Sequence, residues 1–331
     1  MRKKNLSLIL LLSGTIVSIV SLTSFENNNS PFSRNAYGHN FTPSESASFL
    51  SFVDQLQVES ELVETNLANN NISLAQEHAK KANALLTPNI TKEIAERNQR
   101  VANDLITAVS NLQNASSEQQ QQQQQPASQL VSDIDAILDE AVTIRIDQEQ
   151  RDNDTIQALA FADLVDSVLS NYGNAYGVGF DMTNMSNMAT MMESSNSSSS
   201  SMAKSGMADD NNNNNNSNMN MASMNMSSSS SSSSTMMNMD SKMDRNYQLV
   251  NTADYQSAQA LAAKALEIFK AELKPMMSNN NNTTAFITNL ENGLTQLNNS
   301  IRSKASPMDI MMIVHTQVHP NLMQAFNLQL Q

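Results

Sequence analysis

The chain has 331 residues, a formal charge of −13, 22 methionines, 5% aromatic residues, and neither cysteine nor tryptophan. Without cysteine there is no disulfide framework, no thiolate metal site and no cysteine nucleophile, and seven glycines with seven prolines exclude collagen-like and Pro/Gly-rich classes. The acidic balance argues against a nucleic-acid partner, because the phosphate backbone needs a basic surface.

Met1-Arg2-Lys3-Lys4 is a basic start, and Leu6 through Leu22 is almost wholly apolar. Residues 1–24 read as a secretory signal, or as a retained anchor that tethers the chain to a membrane through residues 6–22. Either way the expected location is extracellular or at the cell surface. Removal of residues 1–24 takes away three positive charges and no acids, leaving −16. Ser21-Leu22-Thr23 offers small residues at a cleavage spacing, and so does Ala36-Tyr37-Gly38. A cut after Gly38 would put His39 at the new amino terminus, where amine and imidazole together chelate copper. Asn-x-Ser/Thr occurs at Asn28, Asn40, Asn71, Asn89, Asn114, Asn153, Asn184, Asn196, Asn215, Asn225, Asn281, Asn282 and Asn298. Each is a potential glycan acceptor of an exported chain, although richness in Asn and Ser also produces such triplets by chance.

From there the pattern is helical. Pro43-Ser44-Glu45 opens a first helix with Phe49, Phe52, Val53, Leu56, Val63 and Leu67 at helical spacing, ended by Asn69-Asn70-Asn71. A second carries Ala75, Ala79, Ala82, Leu85 and Leu86 and stops before Pro88, and a third runs from Ile90 through Ile94, Val101, Leu105 and Ala108 to Leu112. A Gln-rich linker covers 114–128, with seven consecutive glutamines from Gln119 to Gln125. Leu130, Ile134, Ile137, Leu138, Ala141 and Ile144 follow, and the pattern resumes beyond Asp152-Asn153-Asp154 at Ile156, Leu159, Leu164 and Val168, with Gly173 the expected C-cap. After residue 247, Tyr255 to Leu273 marks a helix ended by Pro275, Ile287 to Ile301 steps by three and four as in a coiled-coil seam, and Ser306-Pro307-Met308-Asp309 opens the last helix with a Ser cap and Pro at N1. Ala75-Gln76-x-x-Ala79-x-Lys81-Ala82 matches Ala258-Gln259-x-x-Ala262-x-Lys264-Ala265, which suggests a duplicated helical hairpin.

Residues 182–244 hold 15 of the 22 methionines among runs of Ser and Asn, with four alanines as the only other apolar residues. Such a stretch cannot bury enough surface to offset its chain entropy and is expected to be disordered. The expected fold class is therefore all-α: an up-and-down bundle of about six to seven helices, built from 41–175 and 247–331 and interrupted by a long disordered Met/Ser/Asn-rich insertion. Two helical subdomains joined by a tether are the alternative.

The methionine spacing carries the chemistry. Met182-x-x-Met185-x-x-Met188-x-x-Met191-Met192 is followed by Met219-x-Met221-x-x-Met224-x-Met226 and by Met236-Met237-x-Met239. A thioether is a soft, uncharged donor suited to Cu(I), and methionines one to three residues apart let a pliant chain bring two or three sulfurs onto one ion. Asp181, Glu193, Asp209, Asp210, Asp240 and Asp244 could assist with a harder oxidation state. A surface oxidant sink or a linker grown by repeat expansion are the plainer readings. The segment resembles the Met-rich segments of extracellular copper-handling proteins, such as copper-resistance proteins and the outer tails of copper transporters. Those families also use histidine there, and this segment has none. Overall composition resembles that of secreted archaeal proteins, including those of ammonia oxidisers with large copper demand.

On the last helix Met308, Met312, His315, His319 and Met323 share one face, with Met311, Val314, Val318, Leu322 and Ala325 as the core face beside it. His315 and His319, one turn apart, are spaced to share a metal ion, or else are two satisfied histidines at the core's border. Pro320 disfavours helical geometry at His319 and is expected to turn that ring outward. The spacer Thr316-Gln317-Val318 lacks the glutamate of a zinc-protease helix, and the Glu-x-x-His pattern of bundle metal sites is missing. His78 reads as a packed core residue, and Glu59, Glu61, Glu64 and Glu77 as a solvated face. No enzyme activity is indicated. The expected function is soft-metal binding, copper(I) foremost, through the Met-rich segment. The alternative is a structural or interaction protein of the cell envelope, docked to an envelope or membrane protein, with a glycosylated low-complexity spacer.

Overall fold

A computed structural model describes residues 41–117, 126–184, 247–276 and 284–328. Among them the structure is helical throughout, without strands. The expected signal or anchor at 1–24, His39, the glutamine run and the Met-rich stretch from Met185 onward lie outside the described residues. Among those described, no helix is long and apolar enough to cross a membrane.

Helix α1 (Pro43–Ala68) begins at a capping box. Glu45 N–H donates to Thr42 Oγ1 at 3.2 Å while Thr42 N–H donates to the Glu45 carboxylate at 2.7 Å. In α2 (Ile72–Leu85), Ala75, Ala79 and Ala82 are buried, and these small residues let the helix lie close along α1. The expected third helix is two, α3 (Pro88–Arg97) and α4 (Gln99–Ala115). The break is Asn98, whose backbone is extended and whose side chain accepts from Arg100 N–H at 3.1 Å, so the residue caps the second segment rather than continuing the first. Helix α5 (Ala127–Arg145) leads through the short α6 (Gln148–Arg151) to α7 (Asp154–Ala175), capped by Asn153. Beyond the described gap come α8 (Thr252–Ile268), α9 (Thr284–Arg302), α10 (Pro307–Ile313) and α11 (His319–Phe326).

Two expectations drawn from prolines, a helix ended by Pro275 and a His319 ring turned outward before Pro320, meet the same device. The chain passes through Pro275 and Pro320 in helical conformation, each time just after a π-helical turn, Phe269–Leu273 and Val314–Val318. A proline lacks an N–H, and its ring clashes with the carbonyl four residues back. Those carbonyls belong to Ala271 and Thr316, inside the widened turns, where an i→i+5 pattern makes room. His319 therefore has helical angles (φ −58°, ψ −48°), and its ring turns inward, not outward.

Apolar burial falls into two main clusters. One gathers Phe49, Leu56, Val63, Ile94, Leu105, Leu112, Ile134 and Leu138 from α1 to α5. The other gathers Phe161, Leu169, Tyr172, Phe269, Leu290, Leu297, Met311 and Leu322 from α7 onward, together with Val58 of α1. All described residues belong to one compact unit. Where α1 and α2 meet α8 the seam is polar. His78, fully buried, has Nδ1 2.7 Å from Glu59 Oε2 and Nε2 2.8 Å from Gln256 Oε1. Ser257 donates to Glu59 Oε1 at 2.6 Å, and Lys81 bridges Asp254 (2.5 Å) and Asn171 (2.6 Å). Glu59 is thus no member of a solvated face, because the hydroxyl and imidazole opposite supply what water would have supplied.

Candidate metal centre

The end of α7 positions the site. Its cap glycine is Gly177 (φ +61°), not Gly173: Gly177 N–H donates to Asn174 O at 3.1 Å and Val178 N–H to Gly173 O at 2.9 Å, a Schellman closure that needs a left-handed residue at position 177. Gly173 serves packing instead. A Cβ there would stand 3.0 Å from the Met182 sulfur. The chain after the cap turns at Asp181, whose Oδ1 accepts from Thr183 N–H (2.9 Å) and hydroxyl (2.7 Å). Beside it the returning chain is fastened: Val250 and Asn251 both donate to Ala175 O, at 2.8 and 3.1 Å.

Met182, the first methionine of the expected ligand set, is 2% exposed and belongs to the core. The described fold therefore reaches through Asn184, into the stretch that composition assigned wholly to the insertion. Its carbonyl accepts from His315 Nε2–H at 2.9 Å, a contact across 133 residues of sequence. The two constellations that the sequence kept apart, methionine segment and histidine pair, thus meet at the segment's root. Met185, Met188, Met191, Met192, Met219, Met221, Met224, Met226, Met236, Met237 and Met239 lie outside the described residues.

His315 sits in the π-helical turn and His319 just after it, rings edge to face with centroids 5.4 Å apart. Met311, Val314, Val318, Leu322 and Ala325 form the core face as expected, and both histidines are buried beside it. His315 Nε2 donates to a carbonyl, so that nitrogen carries a hydrogen. His319 is 8% exposed and its Nε2 has no hydrogen-bond partner. Facing it at 3.4 Å is Asp166 Oδ1 of α7, itself shut off from solvent and unpartnered although 40% of the Asp166 side chain is open. Burial, with His315 alongside, pulls the His319 imidazole down to about 4. Burial first, then the carboxylates of Asp163 and Asp181, pushes Asp166 up to about 7. Asp181 is held below the usual carboxylate range by the Thr183 hydrogen bonds and, to a lesser degree, by His315.

Sequence reasoning missed Asp166. The available signal was two acids, Asp163 and Asp166, in a helix otherwise buried along most of its length. Among the described residues no three His, Asp or Glu side chains form a ready-made metal cage. Of the glycan acceptors, Asn71, Asn89, Asn114, Asn153 and Asn184 are exposed, whereas Asn298 is 9% exposed and leaves no room for a glycan. No family model, curated protein or solved structure matches this chain.

Proposed function

We propose that this chain is an extracellular or cell-surface helical protein that binds copper(I) through its Met-rich segment, in capture, buffering or delivery. The observation that carries the reading is the methionine spacing from Met185 to Met239, with two or three thioethers within reach of one ion in each group. The helical body adds a fixed root, since His315 holds the Met182 carbonyl and Ala175 O fastens the returning chain.

The test is competition for Cu(I) between the full chain and a colorimetric chelator. Submicromolar or tighter binding is expected, about −8 kcal/mol or better. Replacing the methionines from Met185 to Met239 by serine should weaken it at least a hundredfold. A wild-type chain that takes no Cu(I) from the chelator, or a serine variant that binds as well, ends this reading.

The second reading is a scaffold of the envelope with a glycosylated spacer. The five exposed Asn-x-Ser/Thr sites favour it. Removal of 185–246 would then leave localisation and docking to an envelope partner intact, with no copper phenotype.

A further inference from the structure

In folded proteins nearly every buried polar atom has a partner, and an exception calls for one that is absent. Here two exceptions face each other. His319 Nε2 and Asp166 Oδ1 are 3.4 Å apart, both closed to solvent, and neither makes a hydrogen bond. The gap is too long for a direct N–H···O bond, which spans about 2.7–3.2 Å. It suits an ion held between them. With metal–ligand bonds of about 2.0–2.1 Å, a 3.4 Å separation subtends about 110° at the metal, the tetrahedral angle.

We propose that His319 Nε2 and Asp166 Oδ1 are two ligands of a divalent transition-metal site of the zinc(II) class. An imidazole and a carboxylate are borderline-to-hard donors, unlike thioethers, so the site selects a different ion from the Met-rich segment. Asp163 and Asp181 add negative charge around Asp166, and a cation there offsets their mutual repulsion. The open side of Asp166 gives the ion a way in. His315 is a positioning residue: its bond to the Met182 carbonyl fixes one imidazole, and that ring packs edge-on against the other. No methionine of the Met-rich segment beyond Met182 takes part, so the inference stands whether or not the segment binds copper(I).

The experiment uses the full metal-free chain and Zn(II) alone, with Co(II) as the spectroscopic probe. Co(II) should give the intense visible bands of a tetrahedral site, and Zn(II) should abolish them at one equivalent. His319→Gln and Asp166→Asn should each lower Zn(II) affinity at least tenfold and remove the Zn(II)-dependent rise in melting temperature. Replacing the methionines from Met185 to Met239 by serine should change neither result. Should His319→Gln unfold the chain, Asp166→Asn decides alone, since it preserves shape on a half-open side chain. Zn(II) binding unaltered in Asp166→Asn, or no Co(II) bands in the wild type, overturns the assignment.

Discussion

Among the described residues there are two buried histidine sites, and they are built on opposite terms. At the α1–α2–α8 seam, His78 has an oxygen at each ring nitrogen, and Glu59 is gripped by that ring and by Ser257. At the C-terminal end, His319 Nε2 and Asp166 Oδ1 approach one another and stop short of bonding. A closed network contributes to holding helices in register, because taking away any member strands the others. An open pair contributes little to the fold and leaves valence for a ligand. Burial of a histidine is therefore no guide to its role, whereas the state of its nitrogens is.

The largest expected effect breaks the closed site. Glu59→Ala or His78→Ala should cost about 3–5 kcal/mol in denaturant unfolding, since each leaves a buried polar partner uncompensated. A loss under about 1 kcal/mol would mean that the seam is wetter than its burial indicates. Next comes Asp54 on α1, a third case in which burial sets the chemistry. Burial lifts its carboxyl to about 7, with Glu272 adding to the rise and Lys264 opposing it. The folded state thus keeps a proton that the unfolded chain gives up near pH 4, so stability drains as pH climbs from about 4 to 7. Asp54→Asn should leave stability near pH 4 almost unchanged and raise it at pH 8 by about 2 kcal/mol. Equal gains at both pH values would refute the assignment.

A smaller loss, about 1 kcal/mol, is expected for Gly177→Ala, which forces a Cβ into a left-handed position at the end of α7. Thermal melts of this variant beside Gly173→Ala, whose Cβ meets the Met182 side chain at 3.0 Å with ordinary backbone angles, would separate backbone strain from crowding. The smallest effect sharpens the contrast. In the metal-free chain His319→Leu should shift stability by no more than about 0.5 kcal/mol in either direction, because it removes an atom that had no partner. A drop matching that of His78→Ala would show that the two sites are alike after all.

Local physics made much of this legible in advance. The all-α class, the Ser306 cap with Asp309 at N3, and the core face Met311–Val314–Val318–Leu322 all follow from spacing and capping chemistry that neighbouring residues settle among themselves. What escaped depends on tertiary partners. Glu59 reads as a surface acid until Ser257, 198 residues away, donates to it. Asp166 has no motif, since its meaning comes from a histidine on another helix. The end at Pro275 and the outward turn of His319 before Pro320 were expected because the rule about proline in helices omits the widened turn that accommodates it, and nothing local announces such a turn at Phe269 or Val314. The glycine error at the end of α7 is one of degree: a C-cap was expected there, and the left-handed backbone falls four residues later.

The fastening of Val250 and Asn251 to Ala175, a few residues from where the outgoing chain is held by His315, has an evolutionary corollary. Exit and re-entry are neighbours, so whatever is spliced between them leaves the bundle's geometry as it was. Closing a chain of doubled length costs only about 0.6 kcal/mol more. Slippage in a repetitive gene could therefore add or delete thioethers by the handful with scarcely any penalty in folding. The number of thioethers would then be free to drift like the length of a tandem repeat, without disturbing the packing of the helices around it.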